Sequence, residues 1–498
     1  ETAMAASLHV PILPKMDIVL LYCLANELLK RGAVDRGFVE RSTSGFEAFA
    51  AFLADYEPSR HLAAMGITAA EFDRCASLIA EGRRVSMWWT MGVNQGHQAT
   101  RTAQAIINLC LLTGNIGRPG TGPNSITGQC NAMGSRLFSN TTNLLGGHQF
   151  GSAADREKVA AVLGIPLETI PKENSLAYDQ IIEGIHAGTI KGLWMIATNA
   201  AHSWINQKSF TAAVKKLEFF VVQDMYPNTE TAQLADLYLP AAGWGEKEGT
   251  FINAERRFGL SRKVSRAPGQ ALADFSIFRL IAEAWGCGEL FAEWTSQEAV
   301  FRKLVELSRG QPCDISGIES FDQIEHCGGI QWPCKRGDDK ARSQRTERRL
   351  FVDGKFFTPD QRARFVFEAP VGLPEPPDAE YPLMLLTGRG SSAQWHTETR
   401  TKKSAVLKKL HPGKLLLEMN AADAEALTLR DDQQVRVISR RGEVAAWVRV
   451  TSTVRAGQVF LPMHDPGINR VTLGVFDPVS RQPGYKACAV RIERGGFG

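Results

Sequence analysis

Hydrophobic and polar positions near the start of the chain alternate between helical and strand spacing. Residues 67–82 begin with Thr68-x-x-Glu71, a capping box, and continue with apolar residues at helical spacing, which predicts an amphipathic helix. The short apolar run VSMWWTMG (85–92) predicts a buried strand. The following segment, QATRTAQAIINLCLLTG, returns to helical spacing and predicts a helix with a glycine at its C-terminal end. This alternation of helices and strands is typical of an α/β fold.

Two continuous apolar runs, GLWMIAT (192–198) and FFVVQD (219–224), have a helical pattern between them. That helix is predicted over residues 202–217, HSWINQKSFTAAVKKL. A strand, a helix and a second strand at this spacing predict a parallel sheet covered by helices. From about residue 310 to 350 the sequence becomes polar and basic, and we predict an exposed surface insertion there.

The pattern changes after a proline-rich segment. Residues 368–382 contain five prolines and predict a stiff, extended linker. Beyond this segment, short β-type runs are separated by turns, and a hairpin is predicted at Arg441-Gly442. Residues 383–498 are therefore predicted to form a compact, mostly β barrel.

Composition excludes several classes of protein. The 498 residues are 44% hydrophobic with a net charge of +4. The sequence contains no basic stripe of the kind that binds nucleic acid, so a nucleic-acid partner is not predicted. The most apolar early run, residues 16–29, contains Asp17 and Glu27 and is too short to span a bilayer. The nine cysteines form no C-x-x-C pair, so neither a disulfide framework nor a protein metal site is predicted. A reduced, cytoplasmic protein is the simplest interpretation.

Polar residues follow three of the predicted strands. Gln95, Asn199 and Asp224 each lie at or just beyond the end of an apolar run. In open α/β sheets, ligands bind beyond the carboxyl ends of the strands, and amides and carboxylates can pair with the edge of a base or a pterin. The alternative is that Asn and Asp are common in turns. No G-x-G-x-x-G is present, so an ordinary NAD site is not supported.

Residues 111–134, LLTGNIGRPGTGPNSITGQCNAMG, combine six glycines with a single charge, Arg118. Such a segment favours ordered backbone lying close to a large polar ligand. Lys247, within GWGEKEGTFINAERR, could bind a phosphate as a point charge. The segment TGRGSSAQWHTETRTK (387–402) offers backbone N–H groups and hydroxyls to an anion. A solvated surface is the alternative for each of these segments taken alone.

Taken in order, these motifs resemble the prokaryotic molybdopterin oxidoreductases, the DMSO reductase family, and within it the assimilatory and periplasmic nitrate reductases. The resemblance spans nearly the whole chain and is most specific at ADLYLPAAGWGEKEGTFINAERR. It implies an α/β fold with parallel-sheet dinucleotide-binding domains and a C-terminal β-barrel of the double-psi type. Residues 1–110 would end one cofactor-binding domain, residues 111–367 would form a second, and the 368–382 linker would lead to a dinucleotide-binding barrel at 383–498.

The resemblance also implies a molybdenum ion bound by two molybdopterin guanine dinucleotides. Gln223 and Asp224 match the pair that binds a guanosine. The full set of residues that match cofactor contacts is Met91, Gln95, Asn199, Gln223, Asp224, Lys247, Asp274, Thr387, Gly388, Arg389, Gly390, Ser391, Ser392, Gln394, Trp395, His396, Thr397, Asn469 and Lys486. No residue of this chain matches a ligand to the metal.

The motif TGQCNAMG bears on the substrate. Formate dehydrogenases of the family have an arginine where this chain has Thr127, and the form with Thr127 and Gln129 is that of nitrate reductases. The resemblance therefore implies reduction of nitrate to nitrite by oxygen-atom transfer. LLGGHQ replaces the LLPGHR of many nitrate reductases, which leaves Arg136 as the candidate to attract the anion. A buried structural ion pair is the alternative for Arg136. Formate oxidation, reduction of another oxyanion or oxide, and a non-catalytic structural subunit remain alternative functions.

The four-cysteine iron–sulfur motif and the cysteine ligand to molybdenum of the family do not occur in this sequence. We therefore expect the chain to be the C-terminal two-thirds, roughly, of a longer enzyme whose N-terminal part binds a [4Fe–4S] cluster. A ferredoxin, a flavodoxin or an NADH-linked reductase subunit is the expected electron donor. A cytoplasmic location is expected, with the periplasm as the alternative.

Overall fold

The structure is a computed structural model that describes residues 2–139, 141–338, 347–391, 394–411 and 413–495. No helix in these ranges has the length and hydropathy needed to cross a membrane. The described α-helices are α1 (Thr2–Ala5), α2 (Asp17–Lys30), α3 (Arg36–Ser42), α4 (Phe46–Phe52), α5 (Pro58–Met65), α6 (Ala69–Ala80), α7 (Met91–Asn94), α8 (Ala99–Leu112), α9 (Ala132–Phe138), α10 (Ala153–Leu163), α11 (Tyr178–His186), α12 (Ala200–Ser203), α13 (Gln207–Val214), α14 (Asp274–Ala284), α15 (Gln297–Ser308), α16 (Phe321–His326), α17 (Ala405–Leu410) and α18 (Ala421–Ala426). The described strands are β1 (Thr43–Ser44), β2 (Ser86–Trp89), β3 (Gly122–Ser125), β4 (Gly192–Ile196), β5 (Phe219–Asp224), β6 (Leu237–Pro240), β7 (Gly249–Ile252), β8 (Arg257–Ser261), β9 (Ile330–Gln331), β10 (Ala363–Arg364), β11 (Leu383–Gly388), β12 (Leu416–Met419), β13 (Gln434–Ile438), β14 (Glu443–Val450), β15 (Gln458–Pro462) and β16 (Cys488–Arg494).

The first core is helical and includes a strand from much later in the chain. Apolar side chains of α2, α4, α5, α6 and α8 pack together, and the ring of Phe49 is fully buried. Thr43 in β1 pairs in parallel with Ala363 in β10. Two residues further on, the ring of Phe365 stacks on Phe49 with centroids 5.1 Å apart. Residues 363–365 therefore pack with the N-terminal unit.

The predicted helix and its capping box are confirmed in α6. Glu71 N donates to Thr68 Oγ1 at 3.2 Å, and Thr68 N donates to Glu71 Oε2 at 2.8 Å. The predicted strand at 85–92 is also present, as β2, but the prediction that it is buried is wrong. Trp88 is 67% exposed, because β2 pairs only with β3 and one face of this two-stranded parallel sheet is uncovered.

The predicted parallel sheet is confirmed in the strand order β4-β5-β6, in which both pairs are parallel. The single helix predicted at 202–217 is instead two helices, α12 and α13. The break occurs at Asn206, whose φ of 54° is left-handed and cannot continue a helix. The break brings α12 and its side chains to the C-terminal edge of the sheet, directly after β4.

The prediction of a surface insertion at 310–350 is wrong for much of that segment. Cys313, Ile315, Phe321 and Cys334 are almost fully buried and share a core with residues of β7, β8 and α15. Polar composition was misleading here because buried residues are spaced between charged ones. Positions 339–346, within the same prediction, lie outside the described residues.

The C-terminal unit is a closed six-stranded barrel with the order β11-β15-β12-β14-β13-β16, which confirms the predicted barrel. The β11–β15 and β12–β14 pairs are parallel and the others are antiparallel. The predicted hairpin joins β13 to β14, and Ser439 N donates to Gly442 O at 2.9 Å across the turn. Leu417 and Val459 are fully buried in the barrel core. The domain bounds themselves remain a prediction.

Candidate cofactor site

A cleft of about 440 Å³ lies where the barrel meets the α/β units. Its walls come from the turn after α7, from α12, and from loops that precede or follow β11, β15 and β16. Five of the predicted cofactor contacts line it, namely Gln95, Thr387, His396, Asn469 and Lys486. Residues from distant parts of the sequence thus converge on one cavity.

Hydrogen bonds organise the barrel side of this cleft and join it to α12. Within the barrel unit, Thr387 Oγ1 donates to Tyr485 O at 2.8 Å, and Lys486 Nζ donates to Thr387 O at 3.2 Å. Asn469 Nδ2 donates to His202 O at 3.3 Å, and Tyr485 Oη donates to Ser203 O at 2.8 Å, across the junction between the barrel and α12. The two bonds to α12 connect the barrel to the end of the parallel sheet.

The cleft is electropositive. Among the residues that the structure describes, none that lines it is Asp or Glu. Burial and the charges of Lys15 and Arg389 lower the pKa of Lys486 to about 8. Loss of solvation, together with Arg389 and neighbouring histidines, lowers the pKa of His396 to about 4. Cations that repel one another in a partly desolvated site are stabilised by a bound anion.

A second group of predicted residues meets at the C-terminal end of β5. Gln223 Nε2 donates to Asp274 Oδ1 at 2.7 Å, and the other carboxylate oxygen of Asp274 forms an ion pair with Lys247. Gln223 is fully buried, and its Oε1 has no hydrogen-bond partner in the described structure. Asp224 follows directly, and burial raises the pKa of its carboxyl group. These four residues present both acceptors and a cation at one point, as a guanosine and its phosphates require.

Asn199 lies at the end of β4 and is nearly buried. Its Nδ2 donates to Glu230 Oε2 at 2.7 Å, and its Oδ1 accepts from Thr231 Oγ1 at 2.8 Å. Both ends of the amide are therefore used within the protein. Met91 begins α7, and Gln95, which directly follows α7, lines the cleft.

The loop after β11 carries the remaining predicted contacts. Gly388 ends β11, and Arg389 and Trp395 are exposed. Gly390 allows a close approach, because a Cβ there would lie 2.1 Å from Gln394 Oε1. Gln394 Oε1 accepts from Ser391 N at 2.9 Å, which closes the turn. Thr397 Oγ1 lies 2.8 Å from Thr399 Oγ1, and Ser392 lies outside the described residues.

The three residues predicted to act on the substrate lie outside the cleft described above. Thr127 is half-buried, and Gln129 and Arg136 are exposed. Since Arg136 is exposed, the alternative of a buried ion pair does not apply to it. A substrate role for these residues remains a prediction.

The glycine-rich segment that contains Thr127 is ordered, and some of its glycines serve protein contacts. Gly114, Gly117, Gly120 and Gly122 all have positive φ. At Gly117 a Cβ would lie 2.1 Å from the carbonyl oxygen of Phe351. Close packing against residue 351 therefore requires this glycine, whatever ligand the segment also approaches.

These observations fit a large, polar, anionic cofactor. Several buried polar atoms lack a hydrogen-bond partner in the described structure, among them Gln223 Oε1, Ser391 Oγ, His464 Nε2 and the ring nitrogens of His202. Leaving such an atom unpaired costs about 1–3 kcal/mol, and a phosphorylated pterin dinucleotide offers both donors and acceptors. The positive charge of Lys486 in the cleft matches the phosphates of that dinucleotide.

Three side chains of this region were not identified from the sequence: His202, Glu230 and His464. His202 follows the predicted contact Asn199 by three residues, which is the sole indication that the sequence contains. A single histidine has no spacing pattern, and its proximity to Glu230 results from the turn after β5.

Comparisons with known proteins identify the family of the chain. Residues 2–284 match the family model of the molybdopterin oxidoreductases, and residues 383–489 match the model of the molydopterin dinucleotide binding domain. The chain is 37% identical to a nitrate reductase of Synechocystis, over 99% of this chain and 69% of that protein. It is 32% identical to the assimilatory nitrate reductase catalytic subunit of Bacillus subtilis, over 99% and 68%.

The chain is also 31% identical to the alpha subunit of an F420-dependent formate dehydrogenase of Methanococcus maripaludis, over 99% of this chain and 70% of that protein. In fold it is similar to acetylene hydratase from Pelobacter acetylenicus, with a TM-score of 0.74 at 15% identity, covering 99% of this chain and 72% of that one. The chain therefore belongs to the molybdopterin oxidoreductases, the DMSO reductase family of molybdenum-dependent oxidoreductases.

Proposed function

We propose that the protein reduces nitrate to nitrite at a molybdenum ion bound by two molybdopterin guanine dinucleotides. The observation that carries this proposal is the neutral side chain of Thr127 at the position where the resemblance places an arginine in formate dehydrogenases, with the neutral Gln129 two residues further on. Nitrate reductases at 37% and 32% identity support it. Neutral donors suit a weakly basic, delocalised anion that must leave again as nitrite.

Two groups of residues would bind different parts of the cofactor. Gln223, Asp224, Lys247 and Asp274 would hold one guanosine and its phosphates, and the electropositive cleft around Lys486 would hold pterin and phosphate oxygens. When bound, the molybdenum group supplies the two-electron oxygen-atom chemistry. The balanced reaction consumes nitrate, two electrons and two protons, and releases nitrite and water.

Arg136 and the cleft cations would raise the local concentration of the substrate anion by their field. The rigid, glycine-rich backbone around Thr127 would position the neutral donors. Electrons would arrive through a [4Fe–4S] cluster from a ferredoxin, a flavodoxin or an NADH-linked subunit, and the enzyme would act in the cytoplasm.

Formate oxidation is the second candidate, because formate dehydrogenase subunits are 31–32% identical over 99% of the chain. A formate carboxylate is held best by a fixed guanidinium, and Arg136 is the only nearby arginine that we assign to the substrate. The two candidates therefore differ in whether Thr127 or a guanidinium faces the reacting anion.

The test uses the protein produced from its complete gene in a host that makes the cofactor. Nitrate reduction with reduced viologen and formate oxidation with an artificial acceptor are measured on the same preparation. We expect nitrate turnover and little formate oxidation. A formate rate above the nitrate rate would overturn the proposal in favour of the second candidate.

A further inference from the structure

His202 is a buried imidazole at the junction of the parallel sheet and the barrel. It lies in α12, and its side chain is 1% exposed. Its backbone carbonyl accepts a hydrogen bond from Asn469 of the barrel, and the residue is part of the cleft wall. The family resemblance assigns no role to this position.

Glu230 lies beside one nitrogen of this ring. Glu230 Oε1 lies 3.6 Å from His202 Nδ1, and Glu230 Oε2 accepts from Asn199 Nδ2. Burial raises the pKa of Glu230, but the neighbouring His202 and the hydrogen bond from Asn199 outweigh burial and lower this pKa to about 2. Glu230 is therefore a carboxylate at neutral pH, and its charge lies next to Nδ1 of His202.

The other ring nitrogen, Nε2, has no hydrogen-bond partner among the residues that the structure describes. The titratable groups beside His202 are Glu230, from the turn after β5, and His396 of the barrel. Arg389, His464 and Lys486 in turn act on His396. A carboxylate thus lies behind the ring, and basic groups share the cleft. This field favours an anion at Nε2 over a cation or a neutral group.

We infer that His202 is a further cofactor-binding residue, which donates from Nε2 to an anionic phosphate oxygen of the bound dinucleotide. A hydrogen bond from Nε2 to a charged oxygen would satisfy this nitrogen and is stronger than a bond between neutral groups. The inference rests on the family assignment and is independent of the choice between nitrate and formate.

Sulfate is the probe for this site, since it is a tetrahedral anion like a phosphate group. Isothermal titration of the cofactor-free protein measures its affinity for sulfate. His202→Gln should weaken binding about tenfold, which corresponds to about 1.4 kcal/mol.

Glu230→Gln tests the same inference from the other side of the ring. This variant should also bind sulfate more weakly than wild type, because the ring loses the carboxylate beside Nδ1 that orients it. His9→Gln is the matched control, since His9 is exposed and is far in sequence from the residues that line the cleft. This variant should behave as wild type. Thermal melting of each cofactor-free variant establishes that it is folded.

The holoprotein supplies a second readout. Molybdenum and released guanine nucleotide per protein should fall in His202→Gln and stay unchanged in His9→Gln. Unchanged sulfate affinity together with unchanged cofactor content in His202→Gln would overturn the inference. Full cofactor content with a raised KM for nitrate would also overturn it, because His202 would then face the substrate. If His202→Gln does not fold, unaltered sulfate affinity in Glu230→Gln overturns it equally.

Discussion

Asp274 connects the buried end of β5 to Lys247. Its removal should lower the free energy of unfolding through two contributions that can be measured separately. In Asp274→Ala the amide nitrogen of Gln223, now 2.7 Å from Oδ1, loses its acceptor inside a fully buried environment. An unsatisfied buried donor costs about 1–3 kcal/mol. The ion pair with Lys247 adds at most about 1 kcal/mol, because the two side chains are 33% and 27% exposed and solvent screens them.

Asp274→Ala should therefore destabilise this region by about 1–4 kcal/mol. Asp274→Asn retains an acceptor for Gln223 and loses only the charge, so about 1 kcal/mol is expected. Glu283→Ala is the control at the opposite end of α14. Its pair with Arg279 is long, at 3.8 Å, and exposed, so a change within about 0.5 kcal/mol is expected.

Hydrogen–deuterium exchange of peptides from β5 and α14 is the appropriate assay, because a chain of several units need not unfold in one step. The exchange rates of cofactor-free wild type and variants give local opening free energies. Equal losses in Asp274→Asn and Asp274→Ala would show that the charge, and not the acceptor, matters. A loss below about 0.5 kcal/mol in Asp274→Ala would refute the reasoning altogether.

Three further predictions concern other parts of the molecule. Lys486→Met should stabilise the cofactor-free protein near pH 7 and lower the molybdenum content of the holoprotein. Burial lowers the pKa of Lys486 to about 8, so near pH 7 the folded protein bears the free-energy cost of burying a charged lysine, which methionine removes. This gain should fall as pH rises from about 8 and vanish above about 10.4, where the lysine is neutral in both states. Thr127→Arg should reduce the nitrate kcat by crowding and over-binding the anion, whereas Thr127→Val should have a smaller effect. Leu417→Ala should destabilise the barrel by about 2–5 kcal/mol in urea unfolding, because its side chain is fully buried.

Local features of the fold were predictable because a few neighbouring residues determine them. The capping box of Thr68 and Glu71 and the hairpin at Arg441-Gly442 depend on side chains and turns within a few positions. The break at Asn206 was not predictable, because an asparagine within a helical pattern does not by itself indicate a left-handed conformation. The exposure of Trp88 was not predictable either, since an apolar run does not reveal how many strands its sheet contains.

The chemistry of the candidate site was predictable from motifs, but its contacts were not. Gln223, Lys247 and Asp274 were identified by resemblance as separate contacts, whereas the structure joins them in one hydrogen-bonded group. That group exists because β5, the turn before β7 and the start of α14 meet at one edge, which no local pattern encodes. His202 and Glu230 were missed for the same reason.

The pairing of β1 with β10 affects the order in which the chain can fold during synthesis. Phe49 is made early, but Phe365, which covers it, leaves the ribosome only after most of the chain. The aromatic side chains of the first helices therefore remain uncovered while the whole parallel-sheet unit is being made. Contacts of such long sequence separation form slowly and leave apolar surface open to aggregation. Yield in the cell should thus depend on chaperones that bind the early helices until residues 363–365 arrive.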